Sequence, residues 1–92
     1  MPVKLDLYKV FCEVAKCGSF SKAAKELYMT QPAVSQSIMQ LERELQVRLF
    51  TRMPKGVALT NEGEVLFEYI SSAMNLIGTG EKKLKETKGM MI

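Results

Sequence analysis

A stretch without charge lies between Glu26 and Glu42, and its side chains are of the kinds that recognise nucleic-acid bases. No acidic or basic residue occurs at positions 27–41. Glutamine can form two hydrogen bonds with adenine, serine donates or accepts one, and proline or methionine contacts the thymine methyl group. Opposite the apolar positions lie Pro32, Ser35, Gln36, Met39 and Gln40, with Gln31 before them and Arg43 beyond. The pattern predicts a surface that reads base edges of duplex DNA, and the alternative is a polar surface helix that happens to lack charge.

Basic residues flank this stretch, where phosphates of a duplex would lie. Residues 1–60 hold nine of the thirteen basic side chains and five of the ten acidic ones, and the whole chain carries a net charge of +3. Lys22 precedes the uncharged stretch, and Arg52 and Lys55 follow it. Phosphate contacts position a protein on DNA, and a basic hairpin tip can also enter a minor groove. The alternative for any single lysine is a solubilising charge.

The composition argues against an enzyme, a cofactor and a metal site. The 92 residues include no histidine, the commonest general base and metal ligand, and they contain no Gly-rich phosphate loop. The acidic pairs Glu42/Glu44 and Glu62/Glu64 are interpreted as solvated faces or helix-end charges. Cys12 and Cys17 are too few for a disulfide framework or a zinc site, and Cys12 is predicted to be a small buried hydrophobe. With no signal peptide or membrane span, we expect a reduced, cytoplasmic protein.

Three helices are predicted in the first 45 residues. The first covers 5–16 with Gly18 as its C-cap, and the second covers 22–28 with Ser21 as its N-cap. The third covers 31–45, with Thr30 as its N-cap and Pro32 in the first turn. The predicted inward residues are Leu5, Tyr8, Phe11, Cys12 and Ala15; Ala23, Ala24 and Leu27; and Val34, Ile38, Leu41 and Leu45. Only two or three residues join the second and third helices, which is typical of a helix-turn-helix.

A hairpin and a long helix are predicted to follow. Residues 49–52 and 57–59 are short candidate strands, and the turn between them has Pro54 at its second position and Gly56 at its fourth. A hairpin in this place predicts a winged helix. A fourth helix then starts after Thr60, and its apolar stripe consists of Leu66, Tyr69, Ile70, Ala73, Ile77, Gly80 and Leu84. The band is too wide for one docking surface, so a two-fold dimer is predicted, and a monomeric packing helix is the alternative.

The motifs resemble the DNA-binding part of LysR-type transcriptional regulators. The resemblance rests on Phe11, residues 18–24, Leu27, residues 31–36, Ile38, and residues 41–45, 49–52 and 59–63. It implies a mainly α winged helix-turn-helix at 1–60, a linker and dimerisation helix at 61–88, and at 89–92 a truncated hinge toward an absent effector-binding domain. Relatives often carry arginine where this chain has Gln36, so an adenine-reading or weaker contact is implied there in place of a guanine-reading one.

The resemblance also implies the partners and the residues that meet them. The expected partners are double-stranded operator DNA and a second copy of the chain through antiparallel linker helices. A tetramer and a small-molecule effector are expected only for a full-length protein, and no membrane is expected. The predicted DNA contacts are Ser21, Lys22, Gln31, Pro32, Ser35, Gln36, Met39, Arg43, Arg52 and Lys55, and the predicted dimer contacts are Leu66, Tyr69, Ile70, Ala73, Ile77 and Gly80. The alternative function is a winged-helix module that docks proteins on its long helix.

Overall fold

The computed structural model describes residues 4–90, with side chains described up to residue 88. The elements in chain order are α1 (Leu5–Cys17), α2 (Phe20–Leu27), α3 (Gln31–Leu45), β1 (Phe50–Met53), β2 (Gly56–Leu59) and α4 (Asn61–Met90). The three short helices and the hairpin form a winged helix-turn-helix, as predicted. The last two residues of the predicted hinge, 91 and 92, lie outside the described residues, and Gly89 and Met90 continue α4.

Helix α1 buries a face that overlaps the predicted one only in part. Its buried side chains are Leu7, Val10, Phe11, Cys12 and Val14, so Phe11 and Cys12 are confirmed. Leu5 is 41% exposed, and Tyr8 and Ala15 pack only at the edge of the core, so the buried face is rotated from the predicted stripe. Two overlapping apolar rows satisfy helical spacing here, and packing against α2 and α3 selects the second of them. The predicted C-cap is confirmed: Gly18 has a φ of 65°, and its N–H donates to the Val14 carbonyl.

Helix α2 begins earlier than its sequence indicates. Ser19 is the N-cap, because its side chain accepts a hydrogen bond from the Lys22 N–H at 3.2 Å. The prediction of Ser21 as the cap is therefore wrong; Ser21 lies within the first turn, with its hydroxyl 3.0 Å from that of Ser19. The helix ends at Leu27, one residue short of the predicted end, and Tyr28 adopts the left-handed conformation as its C-cap.

Helix α3 and the wing follow their predictions closely. The Thr30 hydroxyl accepts a hydrogen bond from the Ala33 N–H at 3.2 Å, which confirms the predicted cap. Of the predicted stripe, Val34, Ile38 and Leu41 are buried, and Leu45 packs at the edge. Strands β1 and β2 are antiparallel, with Phe50 opposite Leu59 and Met53 opposite Gly56. Gly56 has a φ of 108°, and a Cβ there would lie 2.2 Å from the Gly18 carbonyl oxygen, so glycine is required in this turn.

Aromatic packing joins the wing to the helices. The ring centroid of Phe50, the first residue of β1, lies 5.5 Å from that of Phe11 and 6.2 Å from that of Phe20. The ring centroid of Phe67 in α4 lies 6.4 Å from that of Phe11. Such tilted aromatic pairs stabilise a core beyond their buried area. Phe11 is therefore the side chain on which α1, the wing and α4 meet.

The first part of helix α4 packs against the core, and the rest of the helix extends beyond it. The Thr60 hydroxyl accepts a hydrogen bond from the Gly63 N–H at 3.0 Å, so the predicted cap is confirmed, and the acidic residues Glu62 and Glu64 lie in the first turn. Leu66, Phe67, Ile70 and Met74 pack against the core. Every side chain from residue 75 to residue 88 is exposed. No helix within residues 4–90 is long and apolar enough to cross a membrane.

Candidate nucleic-acid interface

The outward edge of α3 is formed by two adjacent rows of side chains. Gln31, Ser35, Met39 and Arg43 form one row at four-residue spacing, and Pro32 and Gln36 begin the next. Five of these six residues are exposed, and Met39 is exposed by 54%. Ser35 is half-buried. Helical rise places Gln31 and Arg43 about 18 Å apart along the axis. The edge is therefore open to solvent over more than three turns and carries no charge before Arg43.

Basic side chains lie on both neighbouring elements. Lys22 is exposed in the first turn of α2, beside Ser21 and the N-cap Ser19. Arg52 is exposed on β1, and Lys55 is exposed in the two-residue turn of the hairpin. A helix N-terminus adds partial positive charge to that of Lys22. The uncharged edge of α3 is thus bounded by cations on the α2 side and on the wing side.

An open groove of about 650 Å³ separates α3 from the wing. Its floor includes the core residues Phe20, Ile38 and Phe50, and its rims carry polar and basic side chains. The rim residues are Ser35, Met39, Arg43, Gln46, Arg48, Thr51 and Arg52. Three arginines therefore face one groove. Arg48 is absent from the predicted contacts, since it lies in the irregular segment after α3, where no periodicity places it beside Arg43 and Arg52.

Glu42 is not the solvated face residue that its sequence context indicates. Its side chain is only 16% exposed. One carboxylate oxygen, Oε2, accepts hydrogen bonds from the Leu49 N–H at 2.8 Å and the Phe50 N–H at 3.4 Å, and it lies 3.8 Å from Nε of Arg48. The prediction of a solvated Glu42 fails because the N–H groups that bind its carboxylate lie seven and eight residues away, across the turn that ends α3. Glu44, by contrast, pairs with Lys4 at 3.7 Å on the protein surface.

The structure divides the predicted dimer residues between two roles. Leu66 and Ile70 are half-buried against the core of the same chain. Tyr69 is 72% exposed, Ile77 is 45% exposed, and Ala73 and Gly80 are exposed. Val65, Leu76 and Leu84, which lie in or beside the predicted stripe, are exposed as well. An apolar outer face on α4 therefore consists of Val65, Tyr69, Ala73, Leu76, Ile77, Gly80 and Leu84.

Among the described residues, the two cysteines belong neither to a disulfide nor to a metal site. Both are free, and residues 4–90 contain no cluster of side chains suited to holding a metal ion. Cys12 is 5% exposed, and burial raises the pKa of its thiol. Burial raises the pKa of Cys17 too, and the nearby Glu13 carboxylate, 3.8 Å from its sulfur, adds to that increase. The prediction of Cys12 as a buried hydrophobe is confirmed.

A helix-turn-helix followed by a hairpin wing defines the winged helix-turn-helix class. Within this class, the family model described as "Bacterial regulatory helix-turn-helix protein, lysR family" matches residues 5–64. The chain therefore belongs to the LysR family. The resemblance predicted from the sequence is confirmed.

Individual relatives agree with this assignment. The HTH-type transcriptional regulator HdfR of Salmonella typhimurium is 43% identical over 82 residues, which cover 89% of this chain and 30% of that protein. The chain thus spans about a third of the length of such a regulator. Among solved structures, the BenM_DBD/catB site 1 DNA complex matches with a TM-score of 0.86 at 28% identity, covering 98% of this chain and 97% of that one. Vibrio fischeri DarR in complex with DNA matches with a TM-score of 0.81 at 29% identity, covering 98% and 31%.

Proposed function

We propose that this chain binds duplex DNA with sequence preference, as a homodimer, and thereby controls transcription in the bacterial cytoplasm, at the nucleoid. In this proposal residues 1–60 read one half-site and residues 61–88 form the linker and dimerisation helix. The observation that carries it is the exposed, uncharged edge of α3 with cations on either side. The solved DNA complexes of structurally similar LysR proteins support it.

The edge of α3 is assigned to base reading in the major groove, which is wide enough to admit a helix. The Gln31 and Gln36 amides suit adenine, and Pro32 and Met39 suit thymine methyl groups. Arg43 lies about three turns further along, at the end of the helix nearer the wing. Because the edge lacks an acid, it approaches the duplex without repelling phosphates.

The cations beside that edge are assigned to the phosphate backbone. Ser21 and Lys22 contact it from the α2 side, and Arg52 and Lys55 contact the backbone or the adjacent minor groove from the wing. These contacts carry little sequence information and depend strongly on salt, because each neutralised phosphate releases counterions. Arg48 joins this group on the strength of its position in the groove.

A second copy of the chain is assigned to the outer face of α4. Tyr69, Leu76 and Leu84 are each 72% exposed, which is unusual for large apolar side chains on one helix. An isologous contact between two such faces would cover them and would carry two reading domains at a fixed spacing. The close approach that this requires is favoured by Ala73 and Gly80.

The test is selection of bound sequences from a random duplex pool, followed by titration of a selected and a scrambled duplex by fluorescence anisotropy. Gln31→Ala is expected to weaken binding to the selected duplex by about 1–3 kcal/mol and to leave the scrambled duplex unaffected. Asn75→Ala, which removes an exposed amide from α4, is the matched control and should change neither. Equal losses on both duplexes for Gln31→Ala would contradict the assignment of base reading.

A protein-docking module is the second candidate, and the exposed outer face of α4 favours it. This function needs no DNA contact and predicts no anisotropy change with any duplex at low salt. The titration above therefore separates the two candidates. Salt-sensitive binding to duplex DNA excludes docking as the sole function.

A further inference from the structure

Glu42 is an acid in the middle of a surface that the proposed function places against DNA. It lines the groove between α3 and the wing together with Arg43, Arg48 and Arg52. On charge alone, a carboxylate here weakens binding to a polyanion. A carboxylate at this point of the fold can favour binding only through a contribution of another kind.

That contribution is visible in its contacts with the root of the wing. The Leu49 and Phe50 N–H groups both donate to Oε2 of Glu42, at 2.8 and 3.4 Å. Hydrogen bonds to an ionised acceptor are about twice as strong as neutral ones. Across residues 4–90 these are the only hydrogen bonds that link α3 to the first residues of the wing.

Besides the packing of Phe50 on Phe11 and Phe20, hydrogen bonds to other elements restrain the wing. The Val57 N–H donates to the Gly18 carbonyl at 3.0 Å, which ties β2 to the junction of α1 and α2. The Thr60 N–H donates to the Leu49 carbonyl at 2.9 Å, which ties the wing root to the start of α4. The position of the wing relative to α3 itself thus depends, among hydrogen bonds, on one carboxylate oxygen.

We propose that Glu42 is a positioning residue for DNA recognition: it fixes the separation of α3 and the wing, so that Arg52 meets the backbone while α3 is seated in the major groove. This inference rests on the proposed DNA-binding function. It assigns to Glu42 a favourable effect on affinity that is opposite in sign to the effect of its charge.

The sign difference gives the experiment. Glu42→Gln and Glu44→Gln each remove one negative charge from α3, but the ion pair of Glu44 within residues 4–90 is with Lys4 and not with the wing. We expect Glu44→Gln to bind a selected duplex as tightly as the unsubstituted chain or slightly more tightly, and Glu42→Gln to bind it about tenfold more weakly, as the loss of a charge-assisted hydrogen bond predicts. Glu42→Asp keeps the charge but shortens the reach, so it should weaken binding as well.

A double-mutant cycle with Arg52→Ala tests the route of the effect. If Glu42 acts through the wing, Glu42→Gln should cost less than twofold once Arg52 is absent. A merely structural role predicts the same loss in both backgrounds. Far-UV circular dichroism and thermal melts report the folded fraction, and Glu42→Asp carries the cycle if Glu42→Gln does not fold.

Three outcomes overturn the inference. The inference is wrong if Glu42→Gln binds as tightly as Glu44→Gln. It is also wrong if Glu42→Gln causes an undiminished loss in the Arg52→Ala background. In both cases DNA binding by the unsubstituted chain keeps the proposed function intact. Failure of the unsubstituted chain to bind any duplex overturns both.

Discussion

Gly63 forms the joint between the winged helix-turn-helix and α4, and its replacement by alanine is expected to destabilise the protein. Gly63 is the third residue of α4 and is buried. A Cβ at this position would lie 2.2 Å from the Leu49 carbonyl oxygen and 2.9 Å from Cδ2 of Leu59. The first distance is about 1 Å shorter than ordinary contact, so α4 and the wing root must separate.

The magnitude follows from what holds the two sides of this joint. The Leu49 carbonyl accepts the Thr60 N–H at 2.9 Å, and the Leu49 N–H is held by Glu42 at 2.8 Å, so the oxygen has little freedom to move. Overpacking costs about 1–3 kcal/mol, and a strained backbone hydrogen bond costs about 1 kcal/mol more. Helix propensity returns about 1 kcal/mol. The expected net loss for Gly63→Ala is about 1–3 kcal/mol.

Urea unfolding followed by circular dichroism, at a fixed protein concentration, measures this loss. Gly78→Ala is the matched control: it makes the same substitution in the same helix, at a position where an added Cβ would meet nothing within 4 Å beyond the adjoining turns of its own helix backbone. It should increase helicity or stability, by up to about 1 kcal/mol. If Gly63→Ala proved as stable as the unsubstituted chain, α4 and the wing root could separate at little cost. The rigid joint between α4 and the winged helix-turn-helix would then be refuted.

Three further predictions concern the wing, the outer face of α4 and the cysteines. Arg52→Ala and Lys55→Ala should weaken binding to all duplexes alike, and each should lower the slope of log affinity against log salt by about 1. Lys85→Ala, on distal α4, should leave affinity and slope unchanged. An unchanged slope in the two wing variants would remove the wing from the interface. Tyr69→Asp or Leu76→Asp should raise the dimer dissociation constant at least about tenfold in sedimentation equilibrium, while Asn75→Asp, which adds the same charge on the opposite side of α4, should not. Because burial raises the pKa of Cys12 above its ordinary value of 9.0, the stability that its protonated thiol contributes is complete below about pH 9 and is lost as pH rises through the folded pKa. Because Cys12 is buried and Cys17 is only half-buried, Cys17 should react before Cys12 in iodoacetamide labelling of the native protein, and equal rates without denaturant would contradict the burial of Cys12.

Features with local causes could be predicted from the sequence. The caps of Thr30 and Thr60 and the C-cap of Gly18 depend on hydrogen bonds within four residues, and the hairpin depends on a Pro-Lys-Gly turn. The exposure of the outer edge of α3 was predictable for the same reason, since its opposite face is a plain apolar stripe, and the reading of bases by that edge stays a prediction.

Features decided by tertiary contacts could not be predicted from the sequence. The choice between Ser19 and Ser21 as N-cap is ambiguous, because either serine can cap a helix and only the position of Phe20 in the core selects the earlier start. The buried face of α1 is ambiguous because two apolar rows overlap. Glu42 and Arg48 act across a turn, so no spacing rule connects them with the wing.

The division of α4 explains why its apolar band is wider than one docking surface. The side chains that pack inward end at Met74, where the small core of residues 4–60 ends. Leu76, Ile77 and Leu84 lie beyond that point and are exposed, with no cover from the side chains described up to residue 88, and an isolated helical segment with such a surface is only marginally stable in water. In the dimer that we propose, a second copy would cover these side chains. In that dimer Gly63, between the core and α4, would help to set the spacing of the two α3 helices, and Glu42 would set the position of each wing relative to its α3, so substitutions at either should alter DNA recognition without touching a base.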